Sequence, residues 1–351
     1  MSYSFLRESK LYIVYSGTRY RIYTSSAISL DQTFAEDSYS VKTLHDQSKM
    51  FEGSTINKAN PASFSFDVPL TIEKDESVII TLLGGLTGNQ LNKFDIYVVT
   101  TNSTFKLENA IITSAEMDFV PENPFMIRIE GEGTKLLKVT KVTHTAGAFT
   151  VAQTYTITTV GSTNFTLVGA ADNNVGTEFT ATGTGTGTGT ASYTVPGTAQ
   201  VESATRTPLI VYPVISATPS GSSSLNMNNI ISTNFQLQNE ISWTKYTDLH
   251  NSLSSNTMFP SAYTVEKRTA SGEIRQYQTN NNITQLDDFS TNTNLTITAK
   301  NVSGDASFFE VAINPVMYTA RMEVADVFTQ SYDFRSLDNT NPVHTTQITY
   351  S

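Results

Sequence analysis

Four histidines are the first residues to weigh for chemistry, because imidazole binds metals and moves protons near neutral pH. They are His45, His144, His250 and His344. None stands in a His-Glu-x-x-His arrangement and no two share a helical spacing, so the pattern supports no metal site. His45 and His250, which recur at matched positions, are each expected to bond a backbone group near a turn. Adjacent carboxylates occur at Asp75-Glu76 and Asp287-Asp288. Glycoside cleavage needs two carboxyl groups facing one sugar ring, whereas neighbours on a strand point to opposite faces. Both pairs therefore read as solvated loop charges. Gly183 to Gly189 matches Gly-x-Gly spacing, yet it lacks the strand-then-helix setting in which such glycines cradle a pyrophosphate. Nucleophile-elbow, phosphate-loop and EF-hand patterns are absent from the sequence. The expectation is a chain with no catalytic, cofactor-binding or metal-binding residue and no cofactor, and hence not an enzyme.

Composition narrows the function classes further. The 351 residues carry 22 Lys+Arg against 32 Asp+Glu, a formal net charge of −10, and only 15% are charged. That balance argues against a broad surface gripping nucleic acid phosphates. No run of 18 or more apolar residues exists, so no membrane span is expected. Arg7, Glu8 and Lys10 fall where a secretory signal needs an apolar stretch. There is no cysteine, hence no disulfide or thiolate site, and the redox compartment stays open.

The elements that must position any site are mainly strands. Phe64 to Val68, Ile127 to Glu130, Tyr263 to Glu266 and Leu295 to Thr298 alternate apolar and polar residues, the period of a strand with one face buried. The best helix candidate is Glu73 to Leu83, closed by Gly84-Gly85, although Val78-Ile79-Ile80 would also suit a strand. Trp243 and most other aromatics are expected in the core or an interface. Residues 139–205 are rich in Thr and Gly. There, Tyr155 to Ile157 and Phe165 to Val168 read as short strands, with Gly161, Gly169 and Gly176 at turns. The run Gly183 to Thr190 reads as a flexible linker or an extended strand.

An internal repeat organises the rest. Leu44-His45-Asp46 falls on Leu249-His250-Asn251, and Ala115 to Phe119 falls on Ala320 to Val324, both 205 positions on. Pro61 to Phe66 resembles Pro260 to Val265, and Ile13-Val14-Tyr15 resembles Ile210-Val211-Tyr212, in the same order. The reading is a tandem duplication, 1–138 and 206–351, around a Thr/Gly-rich β insert or linker at 139–205. Within it, Ala115 with Met117, and Ala320 with Met322, share one strand face, while Asp118 and Glu323 take the wet one.

With the repeat in view, the chain resembles the tail tube family of long-tailed bacteriophages. The likeness lies in the order of features: Leu11–Tyr15, a polar loop region from Ser25 to Asn60, Phe64–Val68, the helix candidate, Phe94–Thr100, Phe105–Phe119 and Phe125–Gly131. A second copy closes with Phe308–Val324 and Phe328–Phe334. The Thr/Gly segment is similar to inserts of phage structural proteins. The resemblance implies a mainly β fold, with two tail-tube-like β-sandwich or barrel domains, each with at most one short helix. It implies self-association into trimeric, pseudo-sixfold or hexameric rings that pass genome DNA without specific binding. Other tail proteins would be partners, and no membrane. The long loops near 31–60 and 232–259 would contact the next ring. Such a protein sits in the virion after synthesis in the host bacterial cytoplasm. A tube-end hub or baseplate role is an alternative, and a glycan-binding decoration or fibre protein is one of another class.

Overall fold

Alternation of buried and exposed side chains writes most of this fold. The structure, a computed structural model, describes residues 9–41, 51–84, 86–87, 90–210, 214–220, 227, 229–244, 258–260, 262–279, 293–300, 308–324, 326–337 and 348–350. The first unit runs β1 (Lys10–Tyr15), β2 (Thr18–Ile22), β3 (Ser29–Asp31), β4 (Phe34–Val41), β5 (Phe51–Ala59), β6 (Ala62–Pro69), α1 (Ser77–Leu83), β7 (Leu86–Thr87), β8 (Gln90–Leu91), β9 (Phe94–Val99), β10 (Thr104–Phe119), β11 (Met126–Gly133) and β12 (Lys135–Val139). The Thr/Gly-rich unit adds β13 (Val142–Thr145), β14 (Thr154–Thr159), β15 (Glu178–Thr180), β16 (Thr190–Tyr193) and β17 (Thr198–Ala199). The second unit has β18 (Val214–Ser220), β19 (Ile230–Thr244), β20 (Ala262–Tyr277), β21 (Thr293–Lys300), β22 (Phe309–Glu323), β23 (Thr329–Ser336) and β24 (Ile348–Tyr350). The chain is mainly β, as expected from its residues.

The duplication is visible as repeated pairing. β10 takes β9 and β12 along its first half, and β11 along its second. β22 takes β21 and β24, then β23, in the same arrangement. Met117 faces Ile127, and Met322 faces Gln330. Ala115 faces Ile129, and Ala320 faces Tyr332. The 205-residue offset therefore holds along this strand. The proline match does not. Gly131 lies opposite Phe64, and the same place in the second unit holds Phe334 opposite Gly272. Phe64 thus corresponds to Gly272, and Tyr263 to Val265 belong to the part of β20 that replaces β5. The Gly–Phe pair is conserved with its strands exchanged. Each glycine is required by contact: a Cβ on Gly131 would stand 2.4 Å from the Phe64 ring, and one on Gly272 2.5 Å from the Phe334 ring. The match of Ile13 with Ile210 also shifts. β1 pairs β9 and β18 pairs β21, so β1 corresponds to β18. Leu44 to Asp46 and Leu249 to Asn251 lie outside the described residues.

One apolar cluster runs through both units, with Phe66, Phe119, Phe125 and Ile129 of the first against Phe235, Phe309, Ile313 and Tyr332 of the second. α1 is helical despite its β-branched run because Val78, Ile79, Ile80, Leu82 and Leu83 are all buried, and tertiary packing outweighs propensity. Part of the expected polar loop is the β4–β5 hairpin.

The Thr/Gly-rich unit folds around its own core of Phe149, Tyr155, Ile157, Phe165 and Phe179. Its four-stranded sheet has the order β13-β16-β14-β15, and β17 adds in parallel to β2 of the first unit. Phe165 to Val168 is a 3₁₀ turn, not a strand. The Asn164 side chain accepts from the Thr166 N–H, and Gly169 at φ 105° ends the turn. Gly183 to Thr190 is neither linker nor long strand. Thr188 and Ser162 bond reciprocally through backbone and hydroxyl groups, and Gly189 N–H donates to the Thr163 hydroxyl at 2.8 Å. Only Thr190 enters a strand.

Candidate functional site

The feature with most chemical content is an eight-strand antiparallel surface shared by the two units. Its order is β3-β6-β11-β10-β19-β20-β23-β22, four strands from each unit. One face is apolar core. The other carries Asp67, Glu116, Asp118, Arg128 and Glu130 in the first unit. The matching positions of the second unit are Arg275, Arg321, Glu323, Ser331 and Asp333. The arginines sit in exposed ion pairs: Arg128 to Asp67 and to Glu116, both at 3.5 Å, Arg275 to Glu323 at 3.0 Å and Arg321 to Asp333 at 3.1 Å.

The units meet where β19 pairs with the second half of β10, from Ser114 opposite Gln238 to Phe119 opposite Thr233. A buried polar group fixes that register. Arg268 is fully buried, and its guanidinium donates to Asn239 Oδ1 at 2.8 Å and to the Leu83 carbonyl at 3.2 Å, at the C-terminal end of α1. Asn239 donates onward to the Ile112 carbonyl at 2.8 Å. Burial pushes the Arg268 guanidinium down to about 10. Beside it, Tyr263 donates to the Leu91 carbonyl at 3.0 Å, and burial raises its hydroxyl to about 12. Trp243 is half-buried, donates to Glu132 at 2.6 Å and packs on Tyr263, in keeping with an interface role.

β22 lacks what β10 has. Beyond Val316, on the side where β21 ends, no strand lies beside it among the described residues. The consequence shows in equivalent side chains. Met117 and Phe119 are 0% exposed, whereas Met322 is 50% and Val324 67% exposed. At the opposite margin, Leu30 is in the place that Phe235 holds in the second unit, and β3 pairs only β6 among the described residues.

Asp75 and Glu76 are not solvated loop charges. They stand in the turn before α1, 5% and 0% exposed, and both face Arg206 of the connecting segment. Asp75 also accepts from the Ser203 N–H and hydroxyl. Arg206 lies 4.0 Å over the Tyr23 ring. Adjacent carboxylates in a turn can converge on one cation, which the opposite-faces rule for strands does not anticipate. His144 stacks on Tyr193 at 5.9 Å and meets Tyr155 edge-on. His45, His250, His344 and Asp287-Asp288 lie outside the described residues. Among the described residues, no group of three or more His, Cys, Asp or Glu could hold a metal ion, and no helix is long and apolar enough to cross a membrane.

The sequence profile of the Bacteriophage Baseplate Tube Protein Family matches residues 1–167 and 187–350. The chain belongs to that family. The match covers both units and breaks only inside the Thr/Gly-rich one. A search of curated proteins finds no match. As a baseplate tube family member, the chain is a structural component of the phage virion and associates with other tail proteins. Of the exposed Met322, the buried Arg268 and the half-buried Arg206, only Met322 had a sequence signal, the Met117–Met322 repeat. Nothing in the sequence told which copy would be left uncovered.

Proposed function

We propose that this chain builds a hollow tube segment at the baseplate, with three copies closing one pseudo-sixfold ring. The carrying observation is the open edge of β22 beside Met322 and Val324, where the first unit has β19 seated on β10. By that internal template, β22 receives β3 of the next copy. Met322 then stands opposite Leu30, and Val324 opposite Ile28. Such pairing removes an unpaired edge, as closed barrels do. Eight strands from each of three chains make twenty-four. At about 4.8 Å spacing and about 40° tilt these close at a diameter of about 48 Å, whereas six chains would need about twice that. The polar, acid-rich face then lines the lumen, repels phosphate and lets genome DNA slide. The duplicated units correspond to 1–138 and 206–351, with 139–205 as an outer appendage. Synthesis takes place in the host bacterial cytoplasm, and ring building is a structural and not an enzymatic role.

The chain has no cysteine, which makes the test clean. The double variant Met322→Cys with Leu30→Cys, oxidised after assembly, is expected to give a covalent trimer on a denaturing gel. Electron microscopy should show rings with open centres. A covalent hexamer would replace the trimer by six chains. Discrete rings without any cross-link would instead place the contact elsewhere and favour a hub role.

A further inference from the structure

The Thr/Gly-rich unit does not lie flat on the first unit. Between them is a cleft of about 460 Å³, within the size range of small-ligand sites. One wall is the outer surface of β1 and β2, with Lys10, Tyr12 and Arg19; the other is β14 and β16, with Thr154, Thr156, Ser192 and Tyr193. Lys141 closes one end. Three cations thus line a cleft whose only carboxylate among the described residues is Glu178, in a protein of net charge −10. Glu178 is paired with Arg19, which leaves Lys10 and Lys141 as surplus charge. Arg19 is mostly buried, its Nε has no hydrogen-bond partner, and desolvation lowers its pKa from the usual range.

We propose that this cleft binds an acidic saccharide, a short run of sugar rings carrying carboxylates. The wall chemistry divides by role. Lys10 and Lys141, both exposed, take the carboxylates through charge-assisted hydrogen bonds. On the hydroxyl wall, Thr156 is exposed and can both donate and accept, as a sugar's own hydroxyls require. Tyr12 and Tyr193 offer ring faces to the apolar side of a pyranose. A bare anion would use the cations alone, and an acidic peptide would leave the hydroxyl wall unused. The cleft stands on the first unit and its appendage only, so the inference holds whether or not rings close.

The test is calorimetric titration of the full chain with trigalacturonic acid. Controls are galactotriose, inorganic phosphate and a short polyglutamate. Saturable binding of the acidic sugar is expected, with galactotriose, phosphate and polyglutamate each at least about tenfold weaker. Lys10→Glu and Lys141→Glu, both exposed and so expected to fold normally, should each weaken it about tenfold. Glu178→Gln, which frees Arg19, should tighten it. Absence of saturable binding, or binding unchanged in both lysine variants, overturns the site. Phosphate or polyglutamate binding as tight as the trisaccharide overturns its assignment to sugars.

Discussion

β10 and β22 are copies of one strand with opposite fates. In β10 a neighbour from the same chain covers Met117 and Phe119; in β22 the equivalent Met322 and Val324 face solvent. The covered copy belongs to a core, and the open copy keeps an apolar edge with no strand beside it among the described residues. Soluble proteins usually blunt such edges with charges or prolines. Here Met322 stands at that edge, at the position where Met117 is covered, so the covered copy is a template for the contact proposed for the open one.

Substituting the same residue in both copies is the strongest way to break that comparison. Met117→Asp buries an unpaired carboxylate and is expected to cost about 4 kcal/mol or more, enough to prevent folding. Met322→Asp should leave the thermal midpoint of the unassembled chain unchanged, with a stability difference within about 0.5 kcal/mol. It should abolish rings in sedimentation and microscopy. If Met322→Asp assembles normally, the open edge is not the contact.

Arg268 marks where the two contacts differ chemically. The within-chain junction carries a buried guanidinium bonded to Asn239 and Leu83. At the other margin Phe34, just beyond β3, is 49% exposed. The within-chain contact is thus pinned by polar groups, whereas the open margins carry apolar side chains, Met322 and Phe34. Arg268→Ala should cost about 3 kcal/mol in denaturant unfolding, from a cavity and unpaired acceptors. Phe34→Ala should leave the isolated chain nearly unchanged and weaken assembly.

Buried tyrosines, one of them Tyr263 at this junction, give the chain an alkaline signature. Burial holds Tyr97, Tyr263 and Tyr350 at about 12 against the usual 10. The native chain keeps protons that the unfolded chain releases, so their stabilisation is complete below pH 10 and is lost as pH rises toward 12. Arg268, lowered to about 10 from 12.5, works the other way, because its burial is relieved once it loses its proton. Tyr23, Tyr193 and Lys106 are also raised and Arg19 is also lowered, so the raised groups outnumber the lowered ones and the net change is a fall in stability as pH rises above 10. Tyr263→Phe should make that fall shallower in denaturation midpoints taken across the window.

Strand alternation was legible because Phe64 to Val68 and Ile127 to Glu130 bury one face only, and each polar residue reports it. The repeat was legible along β10 and β22, where no insertion breaks the 205-residue offset. It was misread at Pro61 and Pro260, since proline marks a strand entrance without saying which strand, and the Gly131–Phe64 pair had exchanged sides. Phe165 to Val168 alternated like a strand, but Asn164 as a cap and Gly169 as a left-handed stop decided a turn. Asp75 and Glu76 looked solvated because Arg206, 130 and more residues on, is brought to them only by the fold.

The two units also differ on the acid-rich face, and this bears on what passes across it. At five matched positions the first unit has four acids and Arg128, whereas the second has two acids, two arginines and Ser331. A ring of three chains would therefore alternate acidic sectors with nearly neutral ones, and any hold on DNA would lie in the second unit. Arg275→Asp combined with Arg321→Glu makes that unit resemble the first. The ion pairs lost are exposed, so stability should change by no more than about 1 kcal/mol. Retention of duplex DNA by assembled tubes, measured by co-sedimentation at low salt, should fall. The difference from the unsubstituted tube should vanish above about 0.5 M salt, where charges are screened within a few ångströms. Glu116→Arg should raise retention in the same assay. If neither substitution moves DNA retention, the face does not meet DNA, and the charge contrast between the units concerns contact with another tail protein.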